Sequence, residues 1–306
     1  MDKVFIVGVF CFLIVQFLGF YVFQWTHKKH ENIKFYYLML SGASGLWILI
    51  SSSRYLIPID FHYIAPNWTL FPVIFVPFLA NRLTQLIINN SAFPLYRRIV
   101  DFCILTYLVF SCLSLNMIEM ENYGTSTYKP LLAYHILIIY ALLYSADSIM
   151  LMSKTIIRSS GAVRVRSTLF AMGTVSGLVV SILFVYVFPF FGIFKGYLSA
   201  LGLIPAAVFW SIAILQYDVF QTRSMILRSR ITAKRKLPLL IRMTLKPVLG
   251  LHFLLDPLDY RLQLRNSRAE VVSAILQYHM TLQENSGINH RTQMRRVTSF
   301  FERYFK

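Results

Sequence analysis

Apolar residues occur in long blocks over the first 216 positions of the chain, and short polar segments separate these blocks. A helix of about 20 apolar residues crosses the hydrocarbon core of a bilayer, so the pattern predicts membrane-spanning helices. Seven spans are predicted, at residues 4–25, 35–57, 68–88, 99–117, 131–152, 167–188 and 196–216. The predicted fold class is therefore an all-α membrane protein, with a seven-transmembrane helix bundle in residues 1–218.

The remaining residues, 219–306, are predicted to form a short helical cytoplasmic tail. Segment 237–255 is apolar, but Arg242, Lys246 and Pro247 favour an interfacial segment over an eighth span. Apolar residues then recur at helical spacing over 259–284, which predicts a helical hairpin or a short coiled coil. The apolar stripe of this region is the predicted partner-binding surface, formed by Leu262, Ala269, Val272, Ile275, Leu276 and Leu282.

The distribution of charged residues predicts the orientation of the spans. Only 14% of the residues are charged, yet the net charge is +17. Nine basic residues follow the first, third and fifth spans, namely Lys28, Lys29, Lys34, Arg97, Arg98, Lys154, Arg158, Arg164 and Arg166. Three lie on the opposite side, namely Lys3, Lys129 and Lys195. Because basic residues collect on the cytoplasmic side, the N-terminus is predicted outside and the tail inside.

A dense basic run follows the seventh span and would meet the inner membrane surface. It comprises Arg223, Arg228, Arg230, Lys234, Arg235 and Lys236. Anionic lipid head groups attract such residues, so these six are the predicted lipid-binding residues. Nucleic acid is not an expected partner, because lipid explains the basic flanks without a further assumption. The predicted location is a bacterial inner membrane, with several passes.

The phrase AILQYDVFQTR, at residues 213–223, ends the seventh span. It resembles the exit from the N-terminal seven-helix sensor region of bacterial histidine kinases and related signalling proteins. The resemblance implies a receptor-like protein that senses an external or membrane-borne signal. The signal would pass through the seventh helix to a cytoplasmic protein partner or to a second copy in a homodimer.

A kinase output is not expected, and neither is any other enzyme activity or cofactor. His279 is followed by Met280, where an acidic residue usually follows a phosphoacceptor histidine. No glycine-rich phosphate loop occurs after Gln216. The roughly 90 residues that remain are too few for a dimerisation domain and an ATP-binding domain together. No metal-binding pattern is present in the sequence.

Two sets of residues are candidates for function within the spans. An outward ligand pocket is predicted from Arg54, His62, Trp68, Tyr134 and His135, with ordinary interface residues as the alternative interpretation. An intramembrane ion pair is predicted from Arg82 with either Asp101 or Asp147. A structural pair that fixes the helix register is favoured there over a proton relay.

Other protein classes fit the sequence less well than a receptor. A non-catalytic membrane subunit or anchor is the closest alternative, with the tail as its docking part. A transporter of small molecules or lipids would need a polar path at mid-membrane depth, and only Pro72 and Pro77 in the third span suggest a broken helix. A eukaryotic seven-span receptor is disfavoured, because no Asp-Arg-Tyr follows the third span and no Asn-Pro-x-x-Tyr occurs in the seventh.

Two smaller features carry packing expectations. Gly173 and Gly177 form a GxxxG pattern in the sixth span, and close helix contact within the bundle is favoured there over dimerisation. Four aromatic residues near span ends suggest a partial aromatic belt, namely Trp25, Trp68, Tyr197 and Trp210.

Overall fold

The computed structural model describes residues 3–26, 31–53, 56–58, 61, 64–88, 94–122, 127–188, 191, 196–215 and 239–285. Its elements, in chain order, are α1 Lys3–Trp25, α2 Glu31–Ser53, α3 Ala65–Ile88, α4 Leu95–Leu113, β1 Ile118–Asn122, β2 Thr127–Pro130, α5 Leu132–Arg158, α6 Gly161–Ile182, a π-helical turn Leu183–Val187, a 3-10 turn Gly196–Ser199, α7 Ala200–Leu215, α8 Leu239–Leu255 and α9 Pro257–Asn285.

Five of these helices are long and apolar enough to cross a membrane, which indicates a multi-pass membrane protein. They are Val4–Trp25, Glu31–Ser53, Ala65–Ile88, Leu132–Arg158 and Gly161–Val187. The helix Ala200–Leu215 is apolar but shorter. Helix α4 carries three charged residues, Arg97, Arg98 and Asp101, within its first two turns. Each of the seven predicted spans overlaps one of α1–α7, and the number that cross the membrane stays a prediction.

The chain divides into two compact units. The first contains Met1–Ser159 and Val163–Tyr217, and the second contains Ser160–Ala162 and Asp218–Lys306. The second unit thus combines the C-terminal region with a three-residue piece from the connection between α5 and α6. We call it the tail unit below.

A β-hairpin interrupts the helices, so the expectation of an all-α chain is wrong over residues 118–122 and 127–130. Strands β1 and β2 pair antiparallel, with Ile118 opposite Pro130 and Glu119 opposite Lys129. The sequence carries a short-range signal for this hairpin, because Ile118 and Met120 alternate with Glu119 and Glu121 ahead of Gly124. Two short strands with so little apolar surface are easily mistaken for a polar loop.

Small residues bring α1 and α2 together. A Cβ atom added to Gly8 would lie 1.9 Å from the Ser52 hydroxyl oxygen, and one added to Gly19 would lie 2.0 Å from the Ser41 hydroxyl oxygen. The Gln16 side-chain amide donates to the Ser41 carbonyl at 3.2 Å across the same interface. Close backbone approach of this kind replaces the hydrophobic effect as the source of helix association in lipid.

The GxxxG pattern of α6 packs inside the bundle, as the sequence favours. A Cβ on Gly173 would lie 2.8 Å from the Trp210 ring of α7, and one on Gly177 would lie 3.2 Å from the Ala206 Cβ. Trp210 is therefore a core residue rather than a belt residue: it is 6% exposed, and its indole N–H donates to the Phe170 carbonyl at 3.2 Å. A tryptophan near a span end fits either role by sequence, and the facing glycine decides between them.

Helix α2 is also tied to α7. The Tyr37 hydroxyl lies 2.8 Å from the Ala207 carbonyl, to which it donates, and 2.7 Å from the Ser211 hydroxyl. Tyr37 and Ser211 are both fully buried. The bond satisfies polar groups that would otherwise be costly in the apolar interior of the bundle.

Candidate functional site

A cluster of polar residues joins α3, α4 and α5, and we call it the polar cluster. It comprises Asn81 of α3, Arg97 and Asp101 of α4, and Tyr144, Asp147 and Ser148 of α5. Ionisable groups at this position in a membrane bundle are functional candidates, because their burial needs compensation from specific partners.

Arg97 and Asp147 form the ion pair of this cluster. An Arg97 guanidinium nitrogen, Nη2, lies 2.8 Å from Asp147 Oδ2 and 2.9 Å from Asn81 Oδ1. The Asn81 amide group, Nδ2, in turn donates to Asp147 Oδ2 at 2.9 Å and to Ser148 Oγ at 2.8 Å. Both charged side chains keep some solvent exposure, 24% for Arg97 and 34% for Asp147. The pair therefore links three helices through a network in which the charged groups have hydrogen-bonded partners.

Asp101 is more deeply buried than Asp147, at 4% exposure. The Tyr144 hydroxyl donates to its Oδ1 atom. Its Oδ2 atom is buried and has no hydrogen-bond partner among the described residues. The two carboxyl groups of one cluster thus have very different surroundings.

The predicted partner of the aspartates needs a correction. The printed sequence suggests Arg82, but Asp147 binds Arg97, and the Arg82 guanidinium lies 5.8 Å from the centre of the Tyr36 ring. The positive charges of Arg97 and Arg82 both act on Asp101. Arg97 was assigned to a loop because the fourth span was predicted to begin at residue 99. The helix begins at Leu95, one turn earlier, which places Arg97 and Asp101 on the same face.

Part of the predicted ligand pocket is brought together in an aromatic cluster at the start of α5. We define this aromatic cluster as Tyr134, His135 and Tyr186. The Tyr134 and Tyr186 rings stack with centroids 6.2 Å apart, and the Tyr186 hydroxyl lies 3.5 Å from His135 Nδ1. Tyr186 lies in the π-helical turn after α6, a type of distortion that is frequent at functional sites. Sequence reasoning missed Tyr186, since nothing in an apolar stretch marks a π-helical turn.

The other predicted pocket residues do not join this cluster. Arg54 and His62 lie outside the described residues. The Trp68 side chain is 55% exposed. Tyr134 is only 2% exposed and its hydroxyl donates to the Val185 carbonyl at 2.6 Å, so it fastens the π-helical turn rather than lining an open pocket.

Asn67 anchors the β-hairpin to the start of α3. Its side-chain oxygen accepts the backbone N–H groups of Met117 and Ile118, each at 3.1 Å. Its side-chain nitrogen donates to the Ile118 carbonyl at 3.0 Å. Asn67 is 1% exposed, so the Asn-Trp-Thr sequon that it begins has no room for a glycan.

The tail unit contains a compact polar corner at the junction of α8 and α9. Asp256 precedes Pro257, and its Oδ1 atom accepts the Asp259 backbone N–H at 3.2 Å, which caps the start of α9. Its Oδ2 atom accepts the backbone N–H of Gly161 at 3.0 Å. Buried His252 completes the corner, with Nε2 lying 3.0 Å from Asp259 Oδ2.

Gly161 fits this corner for two reasons. Its φ angle is +62°, which glycine adopts without strain. A Cβ atom there would lie 2.5 Å from Asp259 Oδ2. In the connection between α5 and α6, a side chain at this position would therefore displace the Asp259 carboxylate.

The remaining predicted binding residues are described only in part. The lipid-binding set Arg223, Arg228, Arg230, Lys234, Arg235 and Lys236 lies outside the described residues. In α9, Leu262 and Leu276 are 61% and 54% exposed. The side chains of Val272, Ile275 and Leu282 are outside the described part of that helix.

Comparison with protein-family models, with curated proteins and with solved structures gives no match for this chain.

Proposed function

We propose that the chain is a receptor-like membrane protein in which α5 and α6 carry a signal to the cytoplasmic tail. The observation that carries this proposal is the hydrogen bond from the Gly161 amide to the Asp256 carboxylate. Gly161 is the first residue of α6, and only two residues separate it from the end of α5. A displacement of either helix along its axis pulls directly on the residue that Asp256 holds.

The aromatic cluster lies at the opposite ends of the same two helices. Tyr134 and His135 are in the first turn of α5, and Tyr186 follows α6 in the π-helical turn. With the proposed seven spans and the N-terminus outside, this cluster faces the exterior and Gly161 faces the cytoplasm. A ligand or lipid that repacks Tyr134 or Tyr186 would thus move residues 160–162, the connection between α5 and α6 that belongs to the tail unit.

This route differs from the one that the resemblance to histidine-kinase sensor regions implies. That resemblance sends the signal through the seventh helix into residues 216–238, which lie outside the described residues. The resemblance still supports the receptor class, and with it a bacterial inner membrane and a separate output protein. The tail itself is proposed to be non-catalytic.

Charge on the tail favours a bilayer surface beside it. Over residues 239–265 the exposed charged side chains are all basic, namely Arg242, Lys246, Arg261 and Arg265. The two acidic residues of this segment, Asp256 and Asp259, are bonded within the polar corner. We propose that anionic lipid holds this segment at the membrane, since each basic residue near such a surface gains about 1 kcal/mol.

The exposed leucines of α9 are proposed to bind the output partner or a second copy. Leu262 and Leu276 lie 14 residues apart, which is close to four helical turns, so they share one face. Changing both to aspartate should abolish cross-linking of α9 to its partner or to a second copy in intact membranes, because burying an unpaired carboxylate is costly. The expected loss is at least tenfold in cross-linked product. A control variant, Asn266→Asp, adds a charge at another exposed position of the same helix and should change nothing.

Two results would count against this surface. Unchanged cross-linking in the double variant would assign the binding elsewhere. A loss of cross-linking in Asn266→Asp as well would mean that any added negative charge on α9 has this effect.

A further inference from the structure

Two carboxyl groups in the polar cluster are held in different ways. Asp147 Oδ2 receives the Arg97 guanidinium at 2.8 Å and the Asn81 amide at 2.9 Å, and its side chain is 34% exposed. Asp101 receives one neutral donor, the Tyr144 hydroxyl, and its second oxygen has no partner among the described residues. A charge-assisted bond suits an ionised group, whereas a bare buried oxygen does not.

The groups around Asp101 come from three helices. Arg82 on α3 and Arg97 on α4 act on it through their charge, and α5 contributes Tyr140 and Tyr144. In the described part of the chain, neither arginine is within ion-pair distance of Asp101. The Arg97 guanidinium is directed to Asn81 and Asp147, and Arg82 lies over the Tyr36 ring.

A second buried group without a partner lies beside this carboxyl group. The Tyr140 hydroxyl is close enough to Asp101 to feel its charge. The Tyr140 hydroxyl is buried and has no hydrogen-bond partner among the described residues. The Tyr140 and Tyr144 rings lie 4.5 Å apart, one turn from each other on α5. Two unpartnered polar atoms at one buried place point to a site that is incomplete without a further group.

We propose that Asp101 is a proton-binding site, which carries its proton on Oδ2 while Asp147 stays ionised against Arg97. Asp101 binds and releases this proton by acid dissociation: the neutral carboxylic acid gives a carboxylate and a proton that passes to bulk water. In this assignment the Arg97 guanidinium is paired with the ionised Asp147 carboxylate. The proposal is independent of whether the tail signals.

Release of this proton would change the packing of α4. An ionised Asp101 would attract Arg97, which now holds Asp147 and Asn81 on the neighbouring helices. The competition would loosen the contact of α4 with α3 and α5. The polar cluster is thus a place where a proton changes helix contacts.

The test compares two substitutions in the full-length protein at neutral pH. Asp101→Asn keeps a carbonyl oxygen for the Tyr144 hydroxyl and places an N–H where the proposed O–H is, so the thermal midpoint should stay within about 2 °C of the parent. Asp147→Asn removes the charge that matches Arg97 and should lower the midpoint by about 5 °C or more. Infrared spectra should show the carbonyl band of a neutral carboxylic acid, which shifts in heavy water. This band should be missing from Asp101→Asn and present in Asp147→Asn.

Asp101→Glu keeps the carboxyl group and should shift the band instead of removing it, which assigns the band even if the asparagine variant does not fold. The proposal is overturned if the parent protein lacks the band. It is also overturned if the band is unchanged in Asp101→Glu, or if Asp101→Asn is as unstable as Asp147→Asn.

Discussion

Replacing Asn67 with alanine is expected to destabilise the protein by about 3–5 kcal/mol. The side chain bonds two backbone N–H groups, of Met117 and Ile118, and one backbone carbonyl, of Ile118. All three bonds are buried. Without the Asn67 side chain, each of the three backbone groups stays buried without its partner, at a desolvation cost of about 1–3 kcal/mol. Thermal unfolding of the parent and the variant in detergent micelles measures the change in stability.

Asn116→Ala provides the matched control, since Asn116 is exposed and its side-chain nitrogen makes one long bond, 3.3 Å, to the Ser114 hydroxyl. It should change stability by less than about 0.5 kcal/mol. Equal effects of the two substitutions would mean that Asn67 does not hold the hairpin.

Replacing Gly8 with alanine should separate α1 from α2 and cost about 1–3 kcal/mol. The new methyl group would lie 1.9 Å from the Ser52 hydroxyl oxygen and 2.2 Å from the Ser52 Cβ atom, so one helix must move. Gly42 is the control on α2, because nothing lies within 4 Å of a Cβ placed there. Gly42→Ala should be neutral or stabilising by up to about 1 kcal/mol, since alanine favours the helix.

A second substitution tests whether the Gly8 effect is steric. Ser52→Gly removes the atoms that the new methyl group meets, so the double variant should recover most of the lost stability. Failure of this rescue, with Gly42→Ala as harmful as Gly8→Ala, would contradict the close packing of α1 on α2.

Much of the helical architecture was predictable, because a long apolar segment in a bilayer must satisfy its own backbone hydrogen bonds, which a helix does. The α9 helix was also predictable from its spacing, and the Asp256–Pro257 pair is a recognisable start signal for it. The start of α4 was not, since Leu95 and Tyr96 are apolar but are followed at once by Arg97 and Arg98. When the first turn of a helix is basic, sequence analysis assigns that turn to the preceding loop unless a carboxylate partner on another helix is known.

In the candidate sites, too, the local sequence identifies some residues, whereas their partners depend on how distant helices pack. Asp101 and Asp147 stand out in the sequence because ionisable residues are rare in the spans, and the structure places both in the polar cluster. The choice of Arg97 over Arg82 depends on the packing of α4 against α5, which no local pattern encodes. The role of Gly161 was likewise invisible, because its partner Asp256 is 95 residues away.

We propose that α5 and α6 couple the aromatic cluster to the tail unit, and hydrogen exchange in a bilayer measures this coupling. Tyr134→Phe removes the hydroxyl that bonds the Val185 carbonyl, while Tyr37→Phe removes one that bonds the Ala207 carbonyl between α2 and α7. Both tyrosines are buried, so the two substitutions are matched in kind.

Backbone exchange at residues 250–260, around the polar corner, is the quantity to compare. Loss of about 1 kcal/mol of coupled stability should speed this exchange by about fivefold in Tyr134→Phe, and not in Tyr37→Phe. The difference should disappear when Asp256→Ala is added, because the bond to Gly161 is then absent. Unchanged exchange in Tyr134→Phe, or an equal rise in both variants, would contradict the coupling and leave the chain as a membrane anchor.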